Sequence, residues 1–527
     1  MSSAAAPVAP GARARGHGRM GDAGLQAALF LVAAGLAAST LRWGISPHDE
    51  GIMLAWGRRV AGGQWPYRDF WSNYPPGQTL VTALLIKLFG QSLLVWRIVR
   101  VLVGAAASLL AFWLVRRDAG TRVALAAWAA VAGAMAWPLT PGPNALALAL
   151  ALGAPLAARR HPVAGGALAG LAFATRYEVG VAAALAAMLA TGERRAAGRA
   201  ALAATAVAAA CLLPFAVVAG GQMLDQTIGF LGVAGLQRLP FPLSPSGVGL
   251  DPNKLLELWI PAILVAGSAL WLAWALLRRP RAPGWAMAPL IAVGLAYLLS
   301  RTDEFHLVPL APALAVGCAL AAGAERARPR SSRALQIALL GVVALIALHG
   351  WERQAGILRH PPARAAVPGG VGDGVTTDPA QAAALRALIP RVRALTPGGE
   401  PVLVAPPRYD RVRVGDPLLN VLLDRPNPTR YDVIQPGVVT TAKVQREMVR
   451  DLARTNVVVR WLGAAARRVE PNGSGRSSGV RLLDDAIARE FRPLARYGDF
   501  LVLVRRRYPR RGRQRAGQPS RTVSWET

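Results

Sequence analysis

The sequence predicts an α-helical polytopic membrane protein with about eleven transmembrane helices and a C-terminal extracytoplasmic α/β domain. Three observations predict it. The 527-residue chain is 53% hydrophobic and only 17% charged, with a mean hydropathy of +0.33, more apolar and less charged than soluble domains. Long apolar runs are separated by loops in which arginines collect in alternation. After His349 the runs stop and short helical and strand patterns take turns.

The elements follow in order. Residues 1–24 are Ala/Gly/Arg-rich and weakly hydrophobic; they read as a disordered cytoplasmic tail, not a cleavable signal. A crossing helix needs roughly 20 apolar residues. Candidate spans are Leu25–Leu41, Val95–Val115, Val123–Leu139, Ala145–Ala158, Val163–Thr175, Val179–Thr191, Ala200–Gly220, Leu258–Leu277, Trp285–Ser300, Leu307–Ala322 and Ala334–His349. Together, residues 25–349 form the transmembrane domain. Val163–Thr175 and Val179–Thr191 fall below the roughly 17-residue limit and call for bilayer thinning or a re-entrant path. Cys211 and Cys318 lie inside apolar stretches and read as small packed hydrophobes.

Arg116-Arg117, Arg159-Arg160, Arg194-Arg195, Arg278-Arg279 and Arg326 to Arg330 fall in alternate loops. The positive-inside rule makes those loops cytoplasmic, with the N-terminus inside. Loop 42–94, Arg176–Glu178, Gly221–Glu257, Arg301–His306 and all that follows His349 are then outside, which suits a bacterial plasma membrane. The net charge of +31 belongs to this arginine pattern. No nucleic-acid motif accompanies it.

Within the first outer loop, Gly51–Gly62 and Pro75–Phe89 read as two short helices lying along the membrane interface. Trp43, Trp56, Trp65, Tyr67, Trp71 and Tyr74 fit an interfacial aromatic belt. Beyond His349, residues 350–504 form the α/β domain. Helices are expected over Ala380–Leu395, Lys443–Arg454 and Val480–Phe491, with Pro390 kinking or ending the first. Strands are expected over Pro401–Ala405, Asn456–Trp461 and Asp499–Val504, and Leu418–Leu423 is an apolar run. Residues 505–527 form a basic, disordered tail.

Three polar clusters map to the same membrane face: His48-Asp49-Glu50, Arg176-Tyr177-Glu178, and Arg301 to His306. Ser46-Pro47-His48-Asp49 is also a helix-start signal, with Ser46 as cap and Asp49 at the positive end of the dipole. A carboxylate fixed there can take a proton from an attacking hydroxyl. Glu50 could share that role, steady a metal or face solvent. Arg68 and Arg97 are candidate phosphate ligands, since a guanidinium can bind phosphate oxygens in parallel; Arg68 also fits a turn, and Arg97 and Arg100 also fit snorkelling. Pro75-Pro-Gly77 shapes the loop, and Tyr74 before it is a candidate substrate-binding residue. Arg176 with Glu178, and Arg301 with Asp303 and His306, interrupt apolar hairpins, where ionisable groups are expensive and serve function unless they merely close a loop in water.

No P-loop, dinucleotide fingerprint, nucleophile elbow or zinc motif in convincing context is present. Asp49-Glu50-Gly51, Gly63 to Phe70, Tyr74-Pro-Pro-Gly77, Arg97, Arg176 to Gly180 and Arg301 to His306 resemble the polytopic GT-C glycosyltransferases, especially bacterial relatives of protein O-mannosyltransferases and of the lipid A aminoarabinose transferase. The resemblance implies an inverting transfer from a polyprenyl-phosphate sugar to an envelope glycan, lipid or protein outside the cytoplasm. It gives Asp49 the role of base. Some families of that fold use a divalent metal ion; this sequence has no distinctive metal motif, so that point stays open. The rivals are a lipid-linked glycan transporter, which calls for a polar path at mid-membrane, and a non-catalytic assembly protein.

Overall fold

The structure is a computed structural model and describes residues 14–136, 144–239, 252–278, 284–328 and 332–506. Residues 1–13 of the expected tail, most of loop 140–144 and residues 507–527 of the basic tail lie outside the described residues.

The N-terminal two thirds of the chain is a helix bundle. It begins with α1 (Ala14–Ala38), so the helix takes in residues 14–24 that the sequence assigned to a tail. The first loop carries α2 (Asp49–Ala61) and α3 (Gly77–Phe89). Next come α4 (Leu93–Ala119), α5 (Thr121–Met135), α6 (Asn144–Ala158), α7 (Pro162–Thr175), α8 (Tyr177–Thr191) and α9 (Arg194–Ala219). Short α10 (Gly221–Thr227) and α11 (Leu231–Ala234) precede α12 (Pro252–Arg278). The bundle ends with α13 (Ala288–Ser300), the single turn α14 (Glu304–Leu307), α15 (Leu310–Arg326) and α16 (Arg333–Arg359).

Five described helices are long and apolar enough to cross a membrane, namely 93–119, 194–219, 259–278, 305–326 and 333–359. The other candidate spans coincide with shorter apolar helices. At 1.5 Å per residue, the 15 residues of α8 extend about 22 Å, short of a bilayer core of roughly 30 Å. Helix α15 is buried from Leu310 to Gly323 and forms the bundle's axis.

Two local signals set the helix starts. Ser92 accepts the Val95 N–H at the head of α4, and Ser332 accepts the Leu335 N–H at the head of α16. The Arg97 end of α4 carries the first loop, and Arg116 lies 19 residues on, about 29 Å along the axis. There Arg116 pairs with Asp22, Arg159 with Asp118, and Arg278 with the buried Glu325. The acidic clusters and the arginine-rich turns therefore occupy opposite ends of the bundle.

The C-terminal region begins with a short ribbon, β1 (Ala365–Ala366) and β2 (Thr376–Thr377). It continues through α17 (Pro379–Leu395), β3 (Val402–Ala405), α18 (Pro417–Leu423), α19 (Ala442–Leu452), β4 (Val457–Trp461), α20 (Ala464–Arg467), α21 (Leu482–Glu490), β5 (Phe491–Tyr497) and β6 (Phe500–Arg505). The sheet order is β3-β4-β6-β5, parallel between β3 and β4 and antiparallel elsewhere. Asp378 caps α17, which runs on through Pro390 instead of ending there. The apolar run at Leu418 is a helix, and β5 was not anticipated.

The first loop departs most from expectation. Helix α2 does not lie on an interface: Ile52 to Trp56 are buried in one core with β3, β4, α18 and α21. Trp56 and Tyr67 are fully buried and Trp71 nearly so; Trp56, Trp71 and Tyr74 enter the core joining loop to domain, whereas Tyr67 and Trp65 pack against Phe215 and Met223 of the bundle side. Burial removes the whole indole from water, whereas an interface covers only part of it. Helix α3 keeps an outward apolar face, with Leu84, Leu88 and Phe89 exposed. Two glycines fix the close approaches. A Cβ on Gly51 would stand 2.3 Å from the Leu418 nitrogen, and one on Gly77 2.5 Å from the Ala174 oxygen. The first ties α2 to α18; the second seats α3 beside Arg176.

Candidate active site

Asp49 is the first residue of α2, where the helix dipole favours negative charge. Ser46 does not cap this helix: His48 holds the cap position without a side-chain bond, and the Ser46 N–H instead donates to Glu50 Oε2 at 3.0 Å. Among the described residues the Asp49 carboxylate makes no hydrogen bond or ion pair. Burial pushes its pKa up to about 6, with the Asp303 and Glu50 charges adding to the rise and His306 and Arg413 opposing it. The same interactions place Asp49 beside the Arg301–His306 turn and the C-terminal domain.

Glu50 is committed elsewhere. Arg97 grips it in a two-pronged ion pair, Nε to Oε1 and Nη2 to Oε2, both 2.7 Å. Arg97 also donates to the carbonyls of Leu41, Trp43 and Gly44, which uses all five guanidinium N–H groups. Both side chains are buried. The pair fastens the first loop to α4 and leaves Arg97 no donor for a phosphate, contrary to the sequence expectation.

Arg176 and Glu178 meet at the α7–α8 turn, where Arg176 Nε donates to Glu178 Oε1 at 2.7 Å. The Arg176 guanidinium lies over the Tyr74 ring at 5.3 Å and the Tyr297 ring at 4.9 Å. Its Nη1 has no hydrogen bond among the described residues, so it can still donate. Tyr74 is kept neutral because burial pushes its pKa up. Its carbonyl accepts the Tyr67 hydroxyl at 2.7 Å. Tyr67 adopts φ +69°, rare for a residue with a side chain, and its carbonyl accepts Gln226 Nε2 at 2.8 Å.

The third cluster is built on Asp303, which caps α14 by accepting the Phe305 and His306 N–H groups at 3.0 and 3.1 Å. It also holds His306 Nδ1 and Arg301 Nε, each at 2.6 Å. Burial alone would raise its pKa; the His306 and Arg301 contacts outweigh that and hold it below the usual carboxylate range. With Nδ1 held by Asp303, His306 Nε2 makes no hydrogen bond among the described residues. The imidazole stacks on Tyr297 with centroids 4.3 Å apart. Tyr297 thus joins His306 to Arg176.

Arg301 reaches on to the C-terminal domain. It donates to both oxygens of Glu470, Nη1 at 2.9 Å and Nη2 at 2.6 Å, and Arg413 Nε donates to Glu470 Oε1 at 2.6 Å. Burial pushes Glu470 up, but these partners bring its pKa down to about 2. His48 is kept neutral, with burial lowering its pKa to about 4. Its Nδ1 is buried and unpaired.

Asp49, Tyr74, Arg176, Glu178, Arg301, Asp303 and His306 therefore form one connected group. Arg68 is not among them: it pairs with its neighbour Asp69 on an exposed turn. Sequence reasoning missed Tyr297, Arg413 and Glu470. Tyr297 stands four residues before Arg301, one helical turn, which was a readable signal. Nothing local marked Arg413 or Glu470, whose role comes from tertiary packing. Among the described residues no group of three or more His, Cys, Asp or Glu side chains could hold a metal ion.

The helix bundle with a first-loop helix pair and an α/β domain is a fold also seen in solved structures. Two crystal structures of ArnT from Cupriavidus metallidurans share it: the form bound to undecaprenyl phosphate at TM-score 0.52 and 18% identity, and the apo form at 0.53 and 16%, each covering 92% of this chain and 98% of that one. AglB from Archaeoglobus fulgidus, in complex with an inhibitory peptide and a dolichol-phosphate, is a weaker likeness at TM-score 0.49 and 14% identity, over 83% of this chain and 69% of that one. No protein-family model and no curated protein matches the chain.

Proposed function

We propose that this chain is a membrane glycosyltransferase that moves a sugar from a polyprenyl-phosphate donor to a hydroxyl of a cell-envelope glycan, lipid or protein on the extracytoplasmic side. One observation carries the reading: among the described residues, Asp49 is the unpaired carboxylate in a group where Glu50, Glu178, Asp303 and Glu470 are each bound to a cation. An unpaired carboxylate with its pKa near 6 suits a general base close to neutral pH. The likeness in fold to ArnT, a protein crystallised with undecaprenyl phosphate, supports a polyprenyl carrier.

In the reaction, the acceptor oxygen attacks the anomeric carbon as the bond from that carbon to the phosphate oxygen breaks. The electron pair leaves with the polyprenyl phosphate, and the acceptor proton passes to Asp49. A single displacement inverts the anomeric centre. Arg176, braced by Glu178 and two tyrosine rings, neutralises the leaving phosphate. His306, oriented by Asp303, hydrogen-bonds a sugar hydroxyl through Nε2. Arg97 and Glu50 hold the loop and do not react, and Arg68 takes no part. The alternating arginine turns, which lie at the Arg116 end of α4, about 29 Å along the helix from Arg97, support a site facing away from the cytoplasm.

The test is transfer of labelled sugar by the purified full chain from a panel of polyprenyl-phosphate sugars into envelope acceptors. Transfer with inversion is expected. Absence of transfer over the whole panel, together with carriage of the intact lipid-linked sugar across proteoliposomes, would replace the enzyme with a transporter.

A further inference from the structure

The C-terminal domain contains a cavity of about 270 Å³, near the lower size of small-ligand pockets. Arg408, Arg411, Arg413, Arg467, Arg468 and Glu470 line it. Two separate segments build it: the loop before α18, and the end of α20 with the residues after it. Arg408 is tied to Asp410, and Arg413 to Glu470. The guanidinium groups of Arg411, Arg467 and Arg468 have no hydrogen bond or ion pair among the described residues. Five arginines against Glu470 and Asp410 leave three uncompensated positive charges around one small volume. Guanidinium groups converging from two segments repel one another unless an anion lies between them, and their forks match phosphate oxygens. The cavity also adjoins the candidate active site. Glu470 is its wall and binds Arg301 on the other side, and Arg413 acts on both Asp49 and His48.

We propose that this cavity is an anion subsite that holds a phosphate-bearing part of the acceptor while Asp49 takes the proton from the acceptor hydroxyl. The assignment to the acceptor rests on the transferase reading; the anion site itself does not. Arg411, Arg467 and Arg468 supply the binding charge. Arg413 is shared between the anion and Glu470, so the occupied subsite is linked to the Arg301–Asp303–His306 turn.

Inorganic pyrophosphate binding to the full chain in phosphatidylcholine nanodiscs, measured by calorimetry, tests this without any turnover. Saturable binding at a single site is expected. The R411A/R467A/R468A variant should bind about tenfold or more weakly. R386A/R391A/R446A, which removes the same charge from exposed helix surfaces, should bind as the wild type does. Asp49→Asn should also retain binding, which separates failure of this site from failure of the transferase reading. No saturable binding, or equal affinity in both triple variants with melting temperatures unchanged, overturns the proposal. Repeating the titration in nanodiscs containing phosphatidic acid locates the source. Weakened pyrophosphate binding supports a phosphate carried by lipid; unchanged binding supports a phosphate reaching the site from water.

Discussion

At the scale of single residues, two acids adjacent in sequence have opposite circumstances. Glu50 is neutralised and immobile; Asp49 is unpaired and holds its proton up to about pH 6. Its folded pKa lies above the ordinary value of 3.8, so its contribution to stability is complete below that value and is lost as pH rises through about 6. Asp49→Asn should therefore melt at or above the wild type at pH 7.5, with the difference vanishing near pH 4, in paired thermal melts. The base must be ionised to act, so kcat/KM should fall about tenfold per pH unit below roughly pH 6; a flat profile from pH 7.5 to 4.5 would remove Asp49 from that role. Arg97→Ala should cost on the order of 3–5 kcal/mol by stranding buried Glu50, read as a lower melting temperature or loss of folded yield. An Arg97→Ala protein that keeps its stability and loses only donor affinity would return Arg97 to phosphate binding. The contrast was not readable in the sequence, where Asp49 and Glu50 look equivalent; it depends on which carboxylate faces α4.

At the scale of elements, long apolar helices were legible because an apolar run of spanning length is a signal of composition alone, whatever covers it. The strands β3, β4 and β6 were also visible as short β-branched or apolar runs. Strand β5 was hidden by Arg492, Pro493 and Arg496: it is an edge strand with an irregularity between Pro493 and Ala495, where proline is tolerated and charge faces out. Helix α2 was recognised as a helix but assigned the wrong neighbour, because an amphipathic pattern does not say whether lipid or protein covers the apolar face. Its seat depends on Gly51. Gly51→Ala places a carbon against the Leu418 backbone, which cannot rotate away as a side chain could. The substitution should destabilise by about 1–3 kcal/mol and displace Asp49. The expected result is lowered kcat as well as a lowered melting temperature; unchanged values of both would show that α2 and α18 can separate freely.

At the scale of the whole molecule, the site belongs to neither half alone. The bundle supplies Arg176, Tyr297 and the Arg301–His306 turn, the first loop supplies Asp49 and Tyr74, and the C-terminal domain locks the turn through Glu470. The sequence disclosed the gathering of polar clusters at one membrane boundary through arginine alternation, a long-range pattern. It could not disclose the Glu470 link, which joins residues 169 positions apart. Glu470→Ala should leave Arg301 and Arg413 without their shared counterion and loosen the domain from the bundle. Faster amide exchange in both the 301–306 turn and the 466–475 segment is expected; unchanged exchange would mean the link is incidental. The most direct measurement is sugar transfer from a polyprenyl-phosphate donor by wild type and Asp49→Asn side by side at pH 7.5, each shown to be folded. The account predicts transfer by the wild type and a loss of about 10²–10⁴-fold in the variant. Full transfer by folded Asp49→Asn protein would contradict it.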